Sequence, residues 1–190
     1  MQGVPSAPPP DESTLHAAAL AYLARYAATE AGLRRILDRR IDRWARDRDR
    51  DEVAGQVAEA RRAALTVVAR LAESGAVDTA AFAEGRARSL ARGGRSQRAI
   101  AAHLAAKGVD AELVRETLAR GPSSELAAAL ALASRRRIGP FRSGEPPDDA
   151  GRRRELAVLA RAGFPHGIAV QALRIGREEA EAMVRSLRQG

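Results

Sequence analysis

A fifteen-residue pattern occurs twice in the chain, as "LAAKGVDAELVRETL" from Leu104 and as "LARAGFPHGIAVQAL" from Leu159. In each copy a leucine is followed four residues on by glycine, and the glycine at once by an apolar residue. Leu113 then matches Ile168, and Leu118 matches Leu173. Glycine at that offset marks a helix ending through a left-handed residue, and the apolar spacing beyond it reads as the next helix. A helix–glycine turn–helix unit used twice predicts short helices stacked so that each buries faces none could bury alone. A looser copy, "LDRRI" from Leu37, precedes a longer insertion.

The rest of the chain agrees with this pattern. Thr14 or Ser13 is the expected cap of a helix carrying Leu15, Ala19, Tyr22 and Leu23. Thr29 opens a helix with Leu33, Ile36, Leu37, Ile41 and Trp44 on one side, and a third helix spans about 53–74 with Val57, Ala60, Ala64, Val67, Val68 and Leu71 inward. Gly75 stops it. A shorter helix carries Phe82, Ala83, Ala87 and Leu90, and Gly93 and Gly94 break it. Ser96 and Asp110 are good caps for the next two helices, whose apolar sides are Ile100, Ala101 and Leu104, then Leu113, Val114, Thr117 and Leu118. "SSELAAALALASRRR" starts with a capping pair, Ser123 and Ser124, and buries Leu126, Ala129, Leu130 and Ala133. Two further helices are expected over about 152–162 and 166–175.

The fold expected is all-α, an elongated right-handed-type array of tandem three-helix units. A proline-rich tail, residues 1–13, is expected to be disordered. A first helical unit with an insertion covers 14–74, and a central three-helix unit 75–120. A C-terminal three-helix unit, 121–178, contains a mobile loop at 138–151 and leaves a polar terminal helix or tail at 179–190. No apolar stretch is long enough to span a membrane, and the start "MQGVPSAPPPDES" lacks a signal-peptide core, so the cytoplasm is the expected compartment.

Composition narrows the chemistry. Cysteine is absent, which excludes disulfides, thiolate metal sites and a cysteine nucleophile. His16, His103 and His166 are isolated, with no metal-binding spacing. His103 reads as a boundary residue and His166 as part of a helix start. Asp148 and Asp149 read as loop polarity rather than as paired catalytic acids, and no serine motif resembles a nucleophile elbow. "GGRSQRAI" lacks the lysine of a nucleotide-binding loop and follows a helix, so its glycines and serine read as a turn and a cap. No catalytic residue, metal or cofactor is expected.

The formal charge of +8 is carried almost wholly by arginine and favours an acidic partner, whether DNA, RNA or protein. Between Gly85 and Lys107 lie Arg86, Arg88, Arg92, Arg95, Arg98 and Lys107, with no carboxylate among them. Arg95 and Arg98 stand near a helix start, where free amides also attract anions. Arg135, Arg136 and Arg137 form a second cluster, and Arg152, Arg153 and Arg154 lie beyond the loop. These are the candidate partner- or phosphate-contacting groups. The arginines of 34–50 are interleaved with Asp38, Asp42, Asp47 and Asp49 and read chiefly as helix-supporting pairs. A base-reading helix is poorly supported, because "AELVRETLAR" offers only Arg115 and Arg120, opposed by Glu112 and Glu116.

Residues 65–118 resemble the bacterial RecX family, modulators of the RecA recombinase. The resemblance rests on Gly75, Asp78, Phe82, Ala83, Ile100, Leu104, Lys107, Gly108 and Val109, and in the closing unit on Leu159, Gly163, Phe164 and Leu173. Residues 15–41 resemble the family's first unit more weakly. Thr79 stands where the family often has an acidic residue, Arg40 where its first unit turns through glycine, and the loop around Pro146 and Pro147 is elongated. The resemblance implies a non-catalytic regulator that binds RecA–DNA filaments and restrains their ATPase, strand-exchange and coprotease activities, and a monomer is the expected state. Partner contact is carried over to Arg86, Arg88, Arg95 and Lys107. Nonspecific phosphate contacts with single- or double-stranded DNA are a further implied interaction. The alternatives are a nucleic-acid-binding helical protein and an adaptor for another acidic protein.

Overall fold

The computed structural model describes residues 7–121 and 125–189, and all regular structure among them is helical. The chain divides into two compact units, Met1–Phe82 and Ala83–Gly190.

The first unit is built on α1 (Glu12–Leu23), α2 (Glu30–Ala45) and α3 (Arg50–Glu73). Its core is Leu15, Ala19, Leu33, Leu37, Ile41 and Val67, all fully or almost fully buried and joined by Leu71 and Val77. The cap of α1 is Asp11, not Ser13 or Thr14. Its side chain accepts from the Thr14 amide at 2.8 Å, and Glu12 and Ser13 already belong to the helix. Asp fits because a carboxylate at a helix start satisfies an orphan amide and complements the helix dipole. Thr29 caps α2 as expected, accepting from Gly32 at 2.8 Å. Arg40 lies inside α2, so the looser copy at "LDRRI" makes no turn; without a glycine, helix continues. Within the charged run Asp49 caps α3, accepting from Asp51 and Glu52. The Ala7 carbonyl accepts from Trp44 Nε1 at 2.8 Å and from Arg48 Nη2 at 3.0 Å, which ties the approach to α1 against α2.

The second unit holds most of α4 (Thr79–Arg92), then α5 (Gln97–Ala106), α6 (Ala111–Arg120), α7 (Glu125–Arg136), α8 (Asp149–Arg161), α9 (His166–Arg174) and α10 (Arg177–Gln189). Ser96 and Asp110 cap α5 and α6 as expected. Asp148 is no mere loop residue: it caps α8, accepting from Gly151 at 2.7 Å. The proposed capping pair of α7, Ser123 and Ser124, lies outside the described residues.

The two halves of this unit end their helices alike. Val109 donates to the Leu104 carbonyl at 3.1 Å and Gly108 to Ala105 at 2.8 Å; Phe164 donates to Leu159 at 3.2 Å and Gly163 to Ala160 at 2.9 Å. Both glycines are left-handed, with φ of 82° and 89°, and both leucines are fully buried. The same pair of bonds closes α4, from Arg95 to Leu90 and Gly94 to Ala91, and α7, from Ile138 to Ala133 and Arg137 to Ser134. Helices α4–α5–α6 and α7–α8–α9 therefore repeat one plan, with the second connection lengthened by a short 3-10 turn at Gly139–Phe141. That turn is pinned, since Glu155 accepts from the Gly139 amide and pairs through two bonds with the Arg142 guanidinium.

One expectation was too narrow. Ala127 through Ala133 are all buried, so α7 is enclosed on every side rather than on one face. Its residues supply both apolar clusters of the unit, and alanine lets the neighbouring helices approach closely. Of the terminal helix or tail expected after 178, residues 179–189 are helix, within α10, which buries Ala180, Val184 and Leu187. Its polarity is one-sided, as in any helix packed on a core.

Arg137 occupies the place held by Gly94 in the preceding repeat, with φ of 54°. An L-residue pays about 1–2 kcal/mol there, partly offset because glycine is freer when unfolded. Arg137→Gly is therefore expected to stabilise the second unit by about 0.5–1 kcal/mol, measured by amide exchange in α7. A loss of protection would show that the side chain itself holds the helix end.

Candidate functional site

The six basic residues between Gly85 and Lys107 fall on α4, on the turn after it, and on α5 with its cap, where they meet different neighbours. On α4, Arg86 and Arg88 point to different sides. Arg86 donates from Nε to His103 Nε2 at 3.0 Å, while Arg88 lies 3.9 Å from Glu84. The bond to Arg86 requires an unprotonated His103 nitrogen. Burial first, then Arg86, Lys107 and Arg95, hold that histidine below its usual pKa. Lys107 ends α5 as its exposed cap residue, and Arg92 is exposed in the last turn of α4. Arg98 lies with its side-chain carbons over Gly163, 3.8 Å from where a Cβ would stand.

The structure instead gathers arginines from three distant stretches. Arg95, Arg135, Arg136 and Arg161 line one open cleft, floored by Gly94, Leu132 and Val158 and with no carboxylate in its wall. Three helices end there. The Arg135 guanidinium donates to the Gly93 carbonyl at the end of α4. Ser96, fully buried, accepts from the Ala99 amide at 3.2 Å and donates to the Ala162 carbonyl at the end of α8, at 2.8 Å. Glycines make the approach close enough. A Cβ on Gly94 would stand 2.7 Å from the Leu132 amide nitrogen, and one on Gly163 would stand 2.8 Å from Ser96 Oγ.

Converging helix C-termini explain why arginines collect here, since each carries about −0.5 of a charge. Three such ends cannot neutralise four guanidiniums, so the cleft keeps a positive surplus. Arg95, Arg136 and Arg161 are exposed. Arg137, at the left-handed position just beyond, is exposed as well. The clusters flanking the long loop do not share this surface: Arg152 and Arg153 line another cleft with Arg142 and Arg174. Arg152 also pairs with Asp149 at 2.7 Å.

The start of α5 is not an open anion site. Glu125, from the first turn of α7, accepts from the Gln97 amide at 2.9 and 3.2 Å through its two oxygens. The chain supplies its own anion to that helix end. Burial, opposed by the bond from Gln97, raises the Glu125 pKa above 4.5. A raised folded-state pKa means stability is fully present below the unfolded value and is reduced as pH rises through the folded value. Glu125→Gln keeps an acceptor for Gln97 but does not ionise. Its stability advantage over the parent should grow as pH rises just above 4.5, followed by thermal melts across the acid range. A difference independent of pH would show that Glu125 ionises without penalty.

Sequence reasoning missed Arg161 and Glu125. Arg161 was legible only as a basic residue in the last turn before a glycine stop, in a unit whose earlier copy has alanine there. Glu125 gave no signal, because its partner is 28 residues away. Among the described residues no cluster of side chains suits a metal ion, and no helix is long and apolar enough to cross a membrane.

Residues 78–118, spanning α4 to α6, match the family description "RecX, second three-helix domain". Regulatory protein RecX of Myxococcus xanthus is 42% identical over 161 residues, covering 84% of this chain and 83% of that protein. Regulatory protein RecX of Thermobifida fusca is 38% identical over 135 residues, covering 70% of this chain and 66% of the relative. That of Agrobacterium fabrum is 38% identical over 106 residues, or 56% of each chain.

Proposed function

The chain belongs to the RecX family of non-catalytic regulatory proteins, and we propose that it acts by binding RecA–DNA filaments and restraining the reactions they promote. One observation of this molecule carries the reading. Four arginines from three separate stretches converge on a cleft whose wall has no carboxylate. An arginine-lined surface of this kind suits a large acidic partner: guanidiniums pair with carboxylates and phosphates alike, and opposite charge speeds encounter and makes binding salt-sensitive. Arg95, Arg135, Arg136 and Arg161 are the contact groups in this reading, with Arg137 beside them. Arg86, Arg88, Arg92, Arg98 and Lys107 do not line that cleft and take outlying roles in this reading.

Restraint of the filament follows from occupancy. A helical protein seated on it opposes the rearrangements that accompany ATP turnover, strand exchange and coprotease action, to the extent that it binds one filament state more tightly than another. Single-turnover and steady-state ATP hydrolysis by RecA on single-stranded DNA, measured with increasing protein, tests the reading. Suppression at protein well below the DNA-binding concentration is expected. ATPase unchanged at saturating protein would exclude restraint.

The same cleft suits nonspecific contact with nucleic-acid phosphates, and this is the second reading. It predicts equal binding to filament and to bare DNA, with a steep salt dependence for both.

A further inference from the structure

The elongated loop at Pro146 and Pro147 bounds a cleft of about 320 Å³ against α8 and α9. It lies along the first turns of α8, whereas the arginine cleft meets that helix near its last turn. Leu156, Val170 and Leu173, all half-buried, give it an apolar wall. Glu155 is the one carboxylate in the lining among the described residues, and it is already held by the Arg142 guanidinium and the Gly139 amide. Arg152 pairs with Asp149 at 2.7 Å. Arg153 and Arg174 also line the cleft and are exposed. Among the described residues their side chains make no hydrogen bond or ion pair within the chain. Uncompensated guanidiniums thus stand beside apolar surface.

The preceding repeat shows what such a face receives. With Leu104 set on Leu159, Gln97 falls on Arg152 and Leu118 on Leu173. There the start of α7 meets the face: Glu125 accepts from the Gln97 amide, and Ala128 shares one recess with Ile100 and Leu118. In the second repeat the chain passes from α9 into α10, which packs on α7 and adds no residue to the cleft. The face that takes a helix in the first repeat therefore stays open in the second. Its residues have also changed in one direction. Val170 stands where the first repeat has Arg115, which adds apolar surface, and Arg174 stands where it has Ala119, which adds charge. We propose that this cleft docks an acidic amphipathic helix of a partner protein. An aliphatic side chain of that helix covers Leu156, Val170 and Leu173, and carboxylates on the same face pair with Arg153 and Arg174. Single-stranded nucleic acid is the poorer match, because no aromatic ring lines the cleft for a base to stack on. None of the arginines assigned to filament contact takes part, so the two sites stand or fall separately.

The probe is a helical peptide of roughly 18 residues built on Glu-Leu-Ala-Ala repeats, long enough to hold helix in water. It is titrated into the full-length protein while the methyl signals of Leu156, Val170 and Leu173 are followed by NMR. Saturable shifts at these methyls are expected, with those of Leu104 unmoved. Glutamine for glutamate throughout the peptide, or Arg153→Glu with Arg174→Glu in the protein, should weaken binding at least about tenfold. Val170→Arg should abolish binding while the fold survives, since it copies the residue that α6 carries at the matching position. Absence of saturable shifts overturns the proposal. Equal binding of the glutamate and glutamine peptides overturns the role of the arginines and with it the acidic partner. Shifts of the same methyls on raising protein concentration alone assign the face to a second copy of the chain, against the proposal. Displacement of the peptide by an oligothymidylate assigns the face to nucleic acid and overturns it likewise.

Discussion

Replacing Arg95, Arg136 and Arg161 together by glutamate is expected to weaken binding to RecA filaments by two to three orders of magnitude while the fold survives. These three cleft residues are exposed, and among the described residues none of their side chains makes a hydrogen bond or ion pair within the chain. Arg135 is left in place because it donates to the end of α4. A partly exposed ion pair contributes about 0.2–1 kcal/mol, and reversal adds repulsion to the loss. Three reversals then amount to about 3–4 kcal/mol, and every 1.4 kcal/mol is tenfold in affinity. The same net change made elsewhere, by Arg39, Arg40 and Arg43→Glu on α2, controls for long-range attraction. It should cost under about tenfold at moderate salt, where screening acts beyond about 10 Å. Equal losses from the two triples would mean that total charge, not the cleft, drives association.

The largest effect on stability is expected at Gly94. Alanine there meets two penalties at once. The backbone is left-handed, with φ of 68°, which costs an L-residue about 1–2 kcal/mol. The added Cβ would also stand 2.7 Å from the Leu132 nitrogen and 3.0 Å from its Cα, and backbone cannot swing aside as a flexible side chain would. Gly94→Ala should therefore destabilise the second unit by roughly 3 kcal/mol or more, read from amide exchange in α7. Gly75→Ala separates the two causes. Gly75 has φ of 73° and nothing within 4 Å of an added Cβ, so it reports the left-handed cost alone. If both substitutions cost the same, α4 and α7 can part without loss, and the cleft is not held by that contact.

Much of this architecture was legible because it is local. Capping by Thr29, Ser96 and Asp110, and the glycine stops at Gly108 and Gly163, depend on residues a few positions apart, and periodicity marked the inward faces. The failures were of longer reach. Polarity left α10 undecided between helix and tail, because a helix with only Ala180, Val184 and Leu187 buried resembles a solvated tail until its supporting surface is known. Alternation of residue sizes could not show that α7 is enclosed on all sides. For the site, the basic run was visible, but which arginines from distant stretches join Arg95 was not. Arg161 and Arg136 share a cleft through tertiary packing alone. Recognition of the family came from the order of its turn and packing residues, which long-range contacts do not obscure.

The most direct measurement is equilibrium binding of the full-length protein to RecA–single-stranded DNA filaments and, in parallel, to the same DNA without RecA, at moderate salt. The filament reading predicts binding to filaments at least about tenfold tighter than to bare DNA, at least 1.4 kcal/mol of preference, together with suppression of ATPase. Equal affinity for both would contradict it and leave a protein that meets RecA only through the nucleic acid they share.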